Sequence, residues 1–199
     1  MITIDSVVVV RGGGDIASGT IHRLHRCGFK VLVLELEHPL VVRRRTAFAQ
    51  AVIDGEVTVE GISAVRIEKA EAALRVWDGG GIPVLVDPDA QSLDTIQPDV
   101  VVDATLAKRN IGTHRGMAPI TIGLGPGFTA GVDVDVVIET LEGHFLGSVI
   151  GEGQAAPDTG VSIPILGYAE ERVLRAPCDG IISNSAETVS YTHLRAHET

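Results

Sequence analysis

The stretch Val7 to Gly19, VVVVRGGGDIASG, constrains this chain more than any other. Four valines in a row lack polar alternation, which suits a short strand buried on both faces, as in a parallel sheet. Gly12, Gly13 and Gly14 follow. Then the apolar residues Ile16, Ala17, Ile21, Leu24 and Cys27 recur at helical spacing, with Gly28 as a natural stop. The order is strand, glycine turn, helix. Gly12, Gly14 and Ala17 fit G-x-G-x-x-A, in which the first glycine permits a tight turn and the second lets a pyrophosphate approach the backbone. The small third residue lets the helix pack close to the strand, and the N–H groups of the helix N-terminus face the anion. Lys30 to Leu36, KVLVLEL, reads as the next strand. Glu35, about 20 residues beyond Gly14, stands where a carboxylate holds ribose hydroxyls, with Glu37 as its rival. The plainer alternative is a turn that only packs helix on strand, with Glu35 solvated.

The 199 residues suffice for one domain with a real core, or a domain plus a fragment. A formal net charge of −10 argues against nucleic acid and anionic membranes as partners. No apolar run is long enough to cross a bilayer, and no basic region precedes the first apolar run as in a signal peptide. Cys27 and Cys178, without a CxxC, suit a reducing cytoplasm and give no disulfide framework. Aromatic residues are too scarce for a base-stacking platform.

Beyond the second strand, Arg43, Arg44 and Arg45 either hold a phosphate, such as the 2′-phosphate of NADP, or form a solvated loop. Thr46 to Ile53 reads as a short helix, Glu56 to Ile67 as extended segments around Gly61, and Glu68 to Asp78 as a helix with Ala70, Ala73, Leu74 and Trp77 on one face. Ile82 to Val86 and Asp99 to Ala104 read as further strands. Asp103 therefore projects at a strand's C-terminal end, where open α/β sheets bind ligands. Lys108 follows in the next loop as the best catalytic or phosphate-binding amine, against the bland reading of an exposed lysine. Ile120 to Ile122 is a strand running into GLGPGFTAG. There Gly123, Gly125 and Gly127 either present N–H groups to an anion or allow close backbone packing. Asp133 to Glu139 reads as the strand after that loop. His22 and His25 lack a third ligand, and no metal site is assigned.

The fold expected is α/β, a Rossmann-like, mainly parallel sheet with helices on both faces over residues 1–150. Residues 151–188 read as a linker and the start of a small β module. Residues 189–199, VSYTHLRAHET, resemble a translated sequencing adapter, so the spacing of His193 and His197 is not read as a zinc pair.

RGGGDIASG, VEGISA, VLVDPDA, VVDATLAKRNIGT, TIGLGPGFTAG, VVIETLEGHFLGSVI and RVLRAPCDGII, in that order, resemble the YqeB family. The resemblance runs from about Ser6 to about Ile182, and the missing continuation of the last motif implies a truncated β module. It implies an accessory role in maturing selenium-dependent, xanthine-dehydrogenase-like molybdenum hydroxylases, with the hydroxylase apoprotein or other maturation proteins as partners. It assigns no catalytic residue. The candidate ligands are NAD(P), ATP and the pterin pyrophosphate of a molybdenum cofactor. An NAD(P)-dependent oxidoreductase with Lys108 or Asp103 near the nicotinamide, and a scaffold that kept the fold without the ligand, are the competing readings.

Overall fold

Val7–Arg11 forms the strand β1, whose Val8, Val9 and Val10 are buried. The structure, a computed structural model, describes residues 3, 5–41, 43–160, 164–169, 171 and 178. After β1 come α1 (Asp15–Arg26) and β2 (Lys30–Glu35), which lies parallel to β1 with Arg11 opposite Leu34. Two 3-10 turns (Arg44–Thr46 and Phe48–Gln50) lead into the single-turn α2 (Ala51–Asp54). β3 (Glu56–Val59) and β4 (Ile62–Ile67) form an antiparallel hairpin. Glu60 and Gly61 turn it, both with positive φ, as a two-residue hairpin loop demands. A 3-10 turn (Ala70–Ala72), α3 (Ala73–Asp78), β5 (Ile82–Val86), α4 (Leu93–Ile96) and β6 (Val100–Asp103) follow. The chain continues through β7 (Ile120–Leu124), β8 (Thr129–Ala130), β9 (Val136–Ile138), β10 (Val149–Ile150) and β11 (Gly153–Gln154).

Nine strands make one sheet in the order β10-β9-β7-β6-β1-β2-β5-β4-β3, while β11 pairs with β8. The strands from β9 to β4 run parallel, and only the outer pairs β10–β9 and β3–β4 are antiparallel. Within it, β5-β2-β1-β6-β7-β9 repeats the 3-2-1-4-5-6 order of doubly wound dinucleotide-binding sheets. The fold is the expected α/β, Rossmann-like one.

The alternating direction of side chains on β1 divides the core. Val8 and Val10 pack with Ala17 and Ile21 of α1 and with Phe48, Ala51 and Val52. Val9 faces the other way, into a layer with Leu32, Leu34, Val101 and Ala73, against which Trp77, Leu93 and Ile96 pack. Helices therefore cover both faces. The Trp77 indole N–H donates to the Val31 carbonyl at 2.8 Å, so its polar atom is satisfied.

The helix faces differ in detail from the periodic reading. On α1, Ile16 is 52 % exposed and Cys27 is exposed, while Ser18 is buried. The Ser18 hydroxyl donates to the Gly13 carbonyl (3.1 Å) and accepts from the Phe48 N–H (2.9 Å), so a polar side chain fills a core position without an unmet bond. Leu74 is likewise exposed, because the 3-10 turn before α3 advances its residues by a wider angle than an α-helix and shifts the buried face. β9 is shorter than Asp133 to Glu139. Asp133 and Asp135 turn their carboxylates onto the backbone N–H groups of Thr129 and Thr121 (both 2.8 Å).

The chain divides into two compact units, Met1–Pro157 and Asp158–Thr199. Within the first, Ala155 is buried with Phe128, Ala130, Val134 and Val137. In the second, Ile165 and Tyr168 exchange backbone hydrogen bonds (2.9 and 3.0 Å) around Leu166 and Gly167, both with positive φ. Except for those described residues, the expected β module and the adapter-like residues 189–199 lie outside what the structure describes.

Candidate functional site

Strand register puts Leu34, Arg11, Asp103 and Gly123 in one row at the C-terminal edge of the sheet. That row crosses the β1–β6 junction, where the strand order reverses and open α/β sheets bind their ligands. The Gly12 turn, the end of β6 and the Gly123 loop therefore share one edge.

The glycines of the first turn do three different things. Gly12 has φ +90°, and a Cβ there would lie 3.1 Å from the Ala104 carbonyl oxygen and from Thr105 Cα. Gly13 brings its backbone against the next layer: a Cβ would lie 2.9 Å from Ala49 N, whose N–H donates to the Gly13 carbonyl at 2.9 Å. Gly14 is the N-cap of α1, with φ −61° and ψ 179°, and no atom lies within 4 Å of where its Cβ would be. The first two glycines hold the turn, and the third leaves open space at the helix N-terminus. Ala17 is buried behind it.

Glu35 lies beneath the turn, almost fully buried. One carboxylate oxygen accepts from the Gly13 N–H at 2.6 Å and the other from the Leu36 N–H at 2.8 Å. Glu37 is exposed. Arg43 reaches the start of α1, where its guanidinium lies 3.1 Å from the Asp15 carboxylate. Arg44 instead donates to the Gln50 side chain at 2.7 Å.

Asp103 is wholly buried beside Arg11. Its Oδ2 lies 3.5 Å from the Arg11 guanidinium and accepts from the Thr113 hydroxyl at 2.5 Å. Its Oδ1 accepts from the Thr105 hydroxyl (2.7 Å) and N–H (3.1 Å). Arg11 also donates to Thr113 Oγ1, and to the Pro88 carbonyl at 3.0 Å. The knot thus ties the loops after β5 and β6 to the ends of β1 and β6. Lys108 is exposed on the loop after β6, which contains two non-glycine residues with positive φ, Leu106 and Lys108.

The second glycine loop is filled by the protein itself. A Cβ on Gly123 would meet the Phe128 ring (2.5 Å), on Gly125 the Thr140 hydroxyl (2.5 Å), and on Gly127 the Arg109 backbone (2.7 Å). Among the described residues no three of His, Cys, Asp and Glu gather as metal ligands, and no helix is long and apolar enough to cross a membrane.

An Escherichia coli K12 protein, uncharacterized protein YqeB, is 52% identical over 181 residues, which is 91% of this chain and 34% of that protein. The chain belongs to the YqeB family. It spans about a third of that relative's length. No family profile matches the chain, and no solved structure does.

Within this YqeB-family fold, sequence reading passed over Arg11 and Thr113, the partners of Asp103. Its available signal was an arginine closing an all-valine strand, because a cation so placed needs a buried acceptor. Two further carboxylates brace the far side of the sheet. Partial burial pushes Asp135 up, but hydrogen bonds from Thr121 and Arg115, with the Arg115 charge, leave it below its ordinary value. Burial likewise opposes ionisation of Glu139, yet the N–H groups of Ala156, Leu141 and Thr140 bring it down. A lowered folded value means stability that is present above the ordinary carboxylate range and lost as pH falls through the folded value. Acidification below about pH 4 is therefore expected to loosen β7, β9 and the segment around Ala156. Urea denaturation across this range should show a shallower loss for Asp135→Asn, and equal slopes would contradict the assignment.

Proposed function

We propose that this chain belongs to an accessory protein for the maturation of selenium-dependent molybdenum hydroxylases, and that it holds a nucleotide or pterin pyrophosphate at the turn Gly12–Gly14. The open N-cap at Gly14, at the strand-order reversal of the sheet, carries the ligand half of this reading. The family resemblance supports the pathway half. The N–H groups at the start of α1 would face the phosphates, Arg43 would turn to them from its ion pair with Asp15, and Glu35 would order the turn from below. The hydroxylase apoprotein or another maturation protein would be the partner, in the cytoplasm. A molybdenum cofactor would bring the redox chemistry of the hydroxylase. This chain's part is to hold its phosphate end.

NAD(P)-dependent hydride transfer is the second reading, favoured by the 3-2-1-4-5-6 strand order and by Lys108 on the adjoining loop. Calorimetric titration with NADPH, ATP and molybdopterin separates the two. Gly14→Val is the decisive variant, because its φ suits any residue and its Cβ meets no protein atom. We expect the melting temperature to fall by only a few degrees, because valine is a poorer N-cap than glycine, while affinity falls at least about tenfold, a loss of about 1.4 kcal/mol. If the wild-type chain binds none of the three at millimolar concentration, both ligand readings fail and the scaffold reading stands.

A further inference from the structure

We infer that the turn Gly12–Gly14 takes a phosphate ester without reading its sugar diol, because Glu35 serves the turn and not the ligand. The inference rests on the reading of that turn as a phosphate site. An acid at the end of the second strand of a dinucleotide-binding sheet ordinarily grips the ribose hydroxyls. Glu35 holds that position, opposite Val86 of β5. Yet it is only 9 % exposed, and its two carboxylate oxygens are taken by backbone donors of this chain, the Gly13 and Leu36 N–H groups.

Neither side of this contact gives way easily. The Glu35 backbone is tied to the loop after β5, its carbonyl accepting the Asp87 N–H at 3.0 Å. Gly13 is buried and wedged between Ala49 and Val33, whose atoms stand 2.9 and 3.0 Å from its Cβ position. Its carbonyl is held by the Ala49 N–H and the Ser18 hydroxyl, so its own N–H stays aimed at Glu35. Turning the carboxylate toward a sugar would orphan that buried donor, which costs more than one new hydrogen bond to a solvated hydroxyl returns. Two neighbouring acids are committed as well. Asp87 caps the N–H groups of Gln91 and Ser92 (3.0 and 2.7 Å), and Asp103 is enclosed with Arg11, Thr105 and Thr113. Glu37 is exposed beyond the end of β2. Beside the open space at Gly14 the chain offers donors instead, the first N–H groups of α1 and the Arg43 guanidinium at Asp15. The ligand class is a diphosphate ester whose alcohol half this turn does not select.

Calorimetric titration of the full chain with ATP and with 2′,3′-dideoxy-ATP tests this. The two should bind within about twofold of each other, and Gly14→Val should weaken both. A carboxylate gripping the diol would instead make dideoxy-ATP at least about tenfold weaker. That result overturns the inference while leaving the phosphate site standing, and Glu35→Gln or Glu37→Gln, whichever erases the preference, then names the residue responsible. Glu35→Gln is otherwise expected to lower the melting temperature by several degrees, since its amide nitrogen faces a backbone donor, with the ratio of the two affinities unchanged. The wild-type comparison needs no variant and decides the matter even if Glu35→Gln does not fold. If ATP fails to bind at millimolar concentration, or binds regardless of Gly14→Val, the turn is not a nucleotide phosphate site and the inference falls with that reading.

Discussion

Asp103→Ala is expected to destabilise the chain by about 3–5 kcal/mol, because it leaves the Arg11 guanidinium buried without its carboxylate. In a protein of this size such a loss lowers the melting temperature by on the order of 10 °C. The mechanism is desolvation. Arg11 would retain only Thr113 and the Pro88 carbonyl, neither of which carries a charge. The double variant Arg11→Met/Asp103→Leu removes both charges and should be more stable than Asp103→Ala alone, since replacing a buried ion pair by apolar residues is often neutral. Urea denaturation of the wild type, Arg11→Met, Asp103→Leu and the double variant measures the coupling. A cost below about 1 kcal/mol for Asp103→Ala would show that water reaches the pair. Asp103 would then be open to a chemical role that its present burial opposes.

Gly127→Ala is the second large effect, expected at about 2–6 kcal/mol. Its φ of +110° is a glycine conformation, and the added Cβ would sit 2.7 Å from Arg109 Cα and 2.8 Å from the Arg109 backbone N and C. Overpacking against immobile backbone costs about 1–3 kcal/mol, and the backbone strain adds about 1–3 kcal/mol. Gly131→Ala is the control. Its φ is +81° but nothing lies within 4 Å of its Cβ position, so it suffers the strain without the collision. Denaturation of the two variants side by side isolates the contact. Equal losses would mean that the loop after β6 yields to the new methyl group.

Much of the sheet was legible because its signals are local. Val7 to Val10, Lys30 to Glu35 and Ile82 to Val86 are short apolar runs ended by glycine, an acid or Asp-Pro, and each is a strand. The departures are positions where a partner distant in sequence decides. Nothing near Ser18 says that its hydroxyl joins Gly13 to Phe48, and nothing near Arg11 says that its counter-charge is Asp103. At the candidate site the sequence named the residues of the first turn but not their division of labour. The open space at Gly14 and the crowding at Gly13 depend on where Ala49 and Val33 fall. The same holds for Gly123, Gly125 and Gly127, whose neighbours Phe128, Thr140 and Arg109 fill the space beside them.

The pairing of β1 with β6 also sets a schedule for synthesis. β1 leaves the ribosome well before its partner β6, because Asp103 lies 92 residues behind Arg11. At about 5–20 residues per second the nascent chain waits roughly 5–20 s for that partner. During this interval a bare run of valines ending in an unmatched cation stands beside a half-built parallel sheet, the slow and exposed kind of intermediate. A message broken between β1 and β6 therefore leaves a product in which β1 has one open side.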